Sequence, residues 1–160
     1  MPKVAVVMGS DSDFEVVKKG IDILKEFEVE CEVRIISAHR TPDAAHDFAA
    51  NAVSDGIEVI IAAAGKAAHL GGVIAAYTPL PVIGIPIKTS MMGGLDSLLS
   101  IVQMPKGVPV ATVAVDGSEN AALLAIQMLS LKYPELMDKM IAYKEKMKKA
   151  VEEKDAKFNI

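Results

Sequence analysis

The chain has 160 residues, 51% of them hydrophobic but only 4% aromatic, and a formal net charge of -4 at pH 7. That length predicts one domain with a full core of Ala, Val, Ile, Leu and Met. The acidic balance excludes a broad nucleic-acid surface, which needs a basic face, and the single Cys31 excludes an internal disulfide or a cysteine metal cluster.

Met1-Pro2-Lys3 leads straight into a strand, with no signal peptide or spanning segment read before it, so a cytoplasmic location is expected. Val4 to Met8 is a continuous apolar run, the pattern of a strand buried on both faces of a parallel sheet. Gly9-Ser10-Asp11-Ser12-Asp13 then opens a helix whose apolar positions Phe14, Val17, Ile21 and Leu24 are spaced 3, 4 and 3. Ser12 and Glu15 have the spacing of a capping box. Val29, Cys31, Val33 and Ile35 alternate with Glu28, Glu30, Glu32 and Arg34, which predicts an edge strand with one wet face. It runs into Ser37-Ala38-His39-Arg40-Thr41-Pro42, where Thr41 is expected to cap a helix and Pro42 to open it. That Ala-rich helix extends to about Val53 and ends at Ser54-Asp55-Gly56.

Ile57 to Ala64 reads as the third strand, running into a small-residue loop, Gly65 to Gly72, and a short helix to about Tyr77. Leu80 to Ile87 is the fourth strand, Ser90 to Gly94 a candidate lid, Leu95 to Val102 a helix, and Val108 to Val115 the fifth strand. Strands alternating with helices in this way predict a doubly wound parallel five-stranded sheet with right-handed crossovers, one domain over 1–160. Asn120 to Leu131 is apolar nearly all round and is expected to be buried on more than one side. In the last helix, 134–157, Leu136, Met140, Tyr143, Met147 and Ala150 are spaced 4, 3, 4 and 3. This stripe needs a partner, expected to be a neighbouring subunit; folding back on its own domain is the other reading.

Open α/β sheets bind ligands at the carboxyl ends of their strands, so the chemistry is sought there. The Gly9 to Asp13 turn offers backbone N–H groups, two hydroxyls and a helix N-terminus, which suit either a phosphate seat or a plain helix cap. It is neither a dinucleotide fingerprint nor a P-loop, since the further glycines and the Gly-Lys-Ser/Thr ending are missing. Asp13 could instead accept from sugar hydroxyls. His39 carries the imidazole suited to give and take a proton near neutral pH, and Arg40 beside it can grip a phosphate in two places. His69, at another strand end, either lines the same cleft or holds a backbone carbonyl at a helix start. Gly65, Ala67, Ala68, Gly71 and Gly72 leave room for a flat ligand or for close helix packing. Lys66 is an anion contact or a solvated lysine. His46 reads as a surface residue, and the nine Met residues as core rather than as a metal site.

Several runs go further: Met8 to Asp13, Ser37 to Pro42, Ala67-Ala68-His69-Leu70, Asp96 to Pro105 continuing through Gly107 to Thr112, and Asn120 to Ala125. In that order, over nearly the whole chain, they make it similar to the PurE family, the N5-carboxyaminoimidazole ribonucleotide mutases of purine biosynthesis. The resemblance implies a flavodoxin-like three-layer sandwich and a homo-octamer with sites near subunit contacts. It implies no metal, ATP or biotin, hence no cofactor. Its partners would be a small ribonucleotide substrate and transient CO2, with no nucleic acid and no membrane. Carried over, it makes His39 the proton shuttle. Ser10 and Arg40 would bind the ribose phosphate and Asp13 the ribose. The Ala67, Ala68, His69 and Leu70 loop would hold the heterocycle, with Gly9 and Ser37 completing the substrate contacts. The implied reaction moves a carboxylate from the exocyclic nitrogen of an aminoimidazole ribonucleotide to ring carbon C4.

The chain departs from that pattern at Lys66 and Gly71, where the family loop has Gly and Pro, and at Asp116-Gly117-Ser118-Glu119. Lys66 is expected to add an electrostatic contact to an anionic part of the substrate. A related carboxylase that joins aminoimidazole ribonucleotide and CO2 directly would share the turn residues, although the Asp96 to Pro105 run looks like the mutase branch. A signalling receiver domain would need a phospho-acceptor Asp where the third strand ends in Ala62-Ala63-Ala64. A flavin carrier would want aromatics, and this chain has no Trp and three Tyr.

Overall fold

The computed structural model describes residues 1–158. In chain order the elements are β1 (Lys3–Met8), α1 (Phe14–Glu26), β2 (Glu30–Ile35), α2 (Pro42–Asn51), β3 (Val59–Ala64), α3 (Leu70–Tyr77), β4 (Val82–Pro86), α4 (Leu95–Val102), β5 (Ala111–Thr112), α5 (Ser118–Ser130) and α6 (Pro134–Lys157). All five strands are parallel, in the order β2-β1-β3-β4-β5, the flavodoxin-like arrangement whose switch point lies between β1 and β3.

The period of two along β1 divides the core. Val4, Val6 and Met8 face α1, α5 and the start of α6, packing with Val17, Leu24, Ile126, Leu136 and Met140. Ala5 and Val7 face the other side, with Phe48 of α2, Ile74 of α3 and Ile101 of α4. Small residues allow the layers to close: a Cβ on Gly20 of α1 would lie 2.5 Å from the Ser118 carbonyl oxygen, and one on Gly84 of β4 would collide with Ile101. The Ser118 hydroxyl donates to the Val16 carbonyl at 2.5 Å, pinning the start of α5 to α1.

Several local expectations shift. The capping box does not form: a 3-10 turn over Asp11–Asp13 precedes α1, and the Ser10 hydroxyl caps that turn by accepting the Ser12 N–H at 3.3 Å. Thr41 does not cap α2 with its side chain, although Pro42 does open that helix. The fifth strand shrinks to two residues: Pro109 has no N–H to give, and only Ala111 and Thr112 pair with β4. β2 lies at the edge as expected, and Cys31 packs on the core, but Val33 and Ile35 are 40% and 59% exposed, so the carboxyl half of its apolar face is uncovered in the single chain.

The stripe on α6 divides in two. Leu136 and Met140 are buried against the protein's own core, Tyr143 packs on Phe27 with ring centroids 5.6 Å apart, and Lys139 pairs with Glu28. Beyond them Met147 and Val151 are 47% and 66% exposed. Among the described residues no helix is long and apolar enough to cross a membrane.

Candidate active site

A cleft of about 380 Å³ opens at the carboxyl ends of β1, β2, β3 and β4. It gathers Gly9, Ser10, Ser12 and Asp13 from the first turn and Ser37, Ala38, His39 and Arg40 from the second. Gly65, Lys66, Ala67, His69 and Leu70 come from the third, and Ile87, Lys88 and Thr89 from the fourth. The strand-end rule thus brings together residues far apart in the chain at the point where the sheet's winding reverses.

Each turn is fixed by its own hydrogen bonds. After β1, the Ser10 hydroxyl meets the Ser12 hydroxyl at 2.9 Å, and the Gly9 N–H donates to Ala63 at 3.1 Å, tying this turn to β3. After β2, the Ser37 N–H donates to the Thr41 hydroxyl at 2.9 Å, which donates back to the Ser37 carbonyl at 2.9 Å. The Arg40 N–H donates to the Ser37 hydroxyl at 3.1 Å. Thr41 and Ser37 therefore close the turn that carries His39 and Arg40, and both of those side chains stand exposed at its tip.

After β3, Lys66 takes a left-handed φ of 56°, and its N–H donates to the Ser97 hydroxyl at 2.9 Å. Ser97 is fully buried and donates to the Ile87 carbonyl at 2.8 Å, so one hydroxyl joins the third and fourth turns through α4. The fourth turn is held from β5 as well, since the Lys88 N–H donates to the Asp116 carboxylate at 2.9 Å.

The contact that the chain order hides is between the two imidazoles. His39 Nε2 lies 2.8 Å from His69 Nδ1, with the rings edge to face at 79°. One proton serves that contact, so the two facing nitrogens cannot both carry one. His69 thus lines the cleft as one of its two sequence readings expected, and its side chain makes no helix-capping bond.

Arg40, Lys66 and Lys88 set three cations in the lining against one carboxylate, Asp13. Partial burial raises the Asp13 carboxyl above its ordinary value; a hydrogen bond from the Ser10 backbone opposes the rise, and the negative charges of Asp116 and Asp11 add to it. The cleft is therefore built for an anion at its rims and for a hydrogen-bonding partner near Asp13.

Of the sequence-derived site residues, Gly9, Ser10, Asp13, Ser37, His39, Arg40, Ala67, His69 and Leu70 line this cleft. Ala68 does not; it turns inward and is 1% exposed in the core beneath α3. Gly71 and Gly72 pack towards Val110 and Met104, the close-packing reading, and leave the ligand space to Gly65 and Ala67. His46 is a surface residue on Asp47 and Tyr77. The sequence reading missed Lys88 and Thr89. The fourth strand reads to Ile87 in the sequence, and applying the strand-end rule there as well would have found them. The Ser90 to Gly94 loop lies outside the lining, with Met91 and Met92 59% and 80% exposed.

A family model described as AIR carboxylase matches residues 3–150. The chain is 60% identical over 149 residues to the N5-carboxyaminoimidazole ribonucleotide mutase of Pyrococcus abyssi, covering 93% of this chain and 86% of that one. It is 58% identical over 154 residues to the protein of the same name from Thermotoga maritima, covering 96% and 90%. The crystal structure of Treponema denticola PurE superposes with a TM-score of 0.92 at 30% identity, over 100% of both chains. The motifs at the strand ends and the fold that assembles them agree with these matches, and the chain belongs to the AIR carboxylase, or PurE, family.

Proposed function

We propose that this protein is an N5-carboxyaminoimidazole ribonucleotide mutase, an isomerase of purine biosynthesis that moves the substrate's carboxylate from the exocyclic nitrogen to ring carbon C4. The observation that carries this reading is the His39–His69 pair, 2.8 Å apart in a cleft rimmed by cations and floored by small side chains. Relatives 58–60% identical over nearly the whole chain bear that name, which supports it.

In this reading Ser10 and Arg40 hold the phosphate, the Arg40 fork facing two oxygens at once. Asp13 accepts from ribose hydroxyls, Gly9 and Ser37 complete the contacts, and Ala67 to Leu70 flank the heterocycle. Protonated His39 gives its proton to the carbamate nitrogen as the N–CO2 bond breaks, leaving neutral aminoimidazole and CO2. Ring carbon C4 attacks the held CO2. Neutral His39 then removes the C4 proton, which restores aromaticity and returns the imidazole to its starting state. No proton or electron is gained or lost over the cycle, so no external energy source is required. Holding CO2 beside the ring replaces a bimolecular capture by an intramolecular one. His69 holds the His39 ring in place through the Nε2–Nδ1 contact, and the proton exchange with the substrate stays with His39 in both steps.

The exposed outer half of α6 and the uncovered carboxyl half of the apolar face of β2 fit a homo-oligomer, an octamer in this reading, with the helix 134–157 reaching a neighbouring subunit. The catalytic proposal is tested by an ATP-free assay with N5-carboxyaminoimidazole ribonucleotide, run beside aminoimidazole ribonucleotide plus bicarbonate. Rapid C4-carboxylated product from the first substrate is expected. Efficient product only from the second pair would make the protein a direct carboxylase, and no product from either would refute both.

A further inference from the structure

The reaction above makes no use of Lys66, yet this residue stands on the cleft wall in a backbone conformation that L side chains rarely adopt, φ 56°. The conformation is imposed from both sides. The Lys66 N–H is held by buried Ser97, and its carbonyl accepts from the Ser100 hydroxyl at 3.3 Å and from the Ala68 N–H at 2.8 Å. Glycine would adopt it freely. A lysine kept there retains strain at the edge of a functional cleft, a place where strain commonly serves a purpose.

The lysine's charge is also uncommitted. Among the described residues Lys66 forms no ion pair within 4.0 Å, whereas Lys3, Lys18, Lys132, Lys139 and Lys148 do. Asp96 feels it only weakly. The Asp96 carboxyl is held low first by the Thr89 hydroxyl at 2.5 Å, and the Lys66 charge is the smallest contributor. Lys66 follows β3 and is tied to α4 and Ile87 on the β4 side, while Arg40 stands after β2, two strands away across β1. The cleft therefore presents cations at two separated rims, and its ligand in the mutase reading has two anionic ends.

We infer that Lys66 is a specificity-determining residue whose ammonium binds the carboxylate end of the ribonucleotide while Arg40 and Ser10 hold the phosphate end, a role that rests on the mutase reading. It separates the carboxylated nucleotide from its decarboxylated counterpart, which offers nothing for it to hold. The carboxylate must lose its charge to leave as neutral CO2. A cation gripping it therefore favours the bound ground state, and its effect falls on substrate binding more than on the chemical step.

The test compares wild-type protein with Lys66→Gly, which removes charge and strain together, and Lys66→Met, which removes charge and keeps a side chain. KM for N5-carboxyaminoimidazole ribonucleotide, and Kd for the C4-carboxylated product and for aminoimidazole ribonucleotide, are measured for each. Both variants are expected to weaken binding of the two carboxylated nucleotides about two- to fivefold, the range of a partly solvated ion pair, and to leave aminoimidazole ribonucleotide binding as in wild type. Unchanged KM and Kd for the carboxylated nucleotides would overturn the inference, and so would an equal loss for all three. A wild-type protein that turns over none of the substrate and binds none of the nucleotides would instead refute the mutase reading, and this inference with it.

Discussion

Ser97→Ala should loosen the fold and the cleft together. The Ser97 hydroxyl is fully buried, accepts from the Lys66 N–H at 2.9 Å and donates to the Ile87 carbonyl at 2.8 Å. Alanine leaves both backbone groups without that partner. Each lost bond is worth about 1–1.5 kcal/mol net, so the pair amounts to about 2–3 kcal/mol. For a chain of this length that lowers Tm by roughly 4–12 °C. Urea and thermal unfolding at a fixed protein concentration measure it, the concentration being held because any self-association adds to apparent stability. The third and fourth turns lose their common anchor, so KM should rise with the loss of stability. A change below about 0.5 kcal/mol, the size of an ordinary surface substitution, would refute the idea that this hydroxyl joins the two turns.

Other substitutions separate the remaining roles. His39→Asn should lower turnover by about 100-fold or more, the scale of general acid–base catalysis, while nucleotide binding persists; Arg40→Ala should mainly weaken binding. Equal loss of binding in both would mean the roles are wrongly divided. Asp13→Asn should raise Tm at neutral pH and give no gain below about pH 3. The sign follows from the raised carboxyl: the folded state keeps its proton to higher pH than the unfolded one, so ionisation subtracts stability as pH rises. Because Asp13 remains partly solvated, the gain is small. An equal gain at both pH values would contradict it. Leu136→Ala, at a site 2% exposed, should cost about 2–5 kcal/mol in unfolding experiments. Val151→Glu, 66% exposed, should leave each subunit folded and reduce the assembly's mass in light scattering. An unchanged mass would remove α6 from the interface.

Much of this fold was legible because its periodicities are strong. β1, β3 and β4 are apolar on both faces, which only a sheet covered on two sides explains, and the α1 stripe is buried at Val17, Ile21 and Leu24, while Phe14, expected in it, sits in the first turn 41% exposed. β5 was overdrawn because an apolar run does not reveal where the ladder with β4 stops, and Pro109 helps stop it early. Ser12 and Glu15 carry capping-box spacing, yet a 3-10 turn capped by the Ser10 hydroxyl comes first, and spacing alone does not show it. The α6 stripe has one spacing throughout, yet Leu136 and Met140 are buried in the chain's own core while Met147 and Ala150 stay exposed.

The site was legible as a set of strand ends: Ser10, Asp13, His39 and Arg40 follow β1 and β2 and meet where the rule puts them. What no local pattern carries is the direction of each loop side chain. His39 and His69 are 30 residues apart and meet only because β2 and β3 flank β1. Ala68 turns into the core while Ala67 beside it faces the cleft. The Ser97 bridge needs three elements in place before it exists, so its hydroxyl looked like any other serine of a short helix.

The most direct test of the proposed chemistry follows the carbon. Under single-turnover conditions with protein in excess and no ATP, unlabelled N5-carboxyaminoimidazole ribonucleotide is converted in buffer containing 13C-bicarbonate, and the C4-carboxylated product is weighed by mass spectrometry. Transfer of a held CO2 predicts product that keeps the unlabelled carboxyl carbon. Product carrying the label of the solution would contradict it, because the carboxyl group would then have come from free CO2.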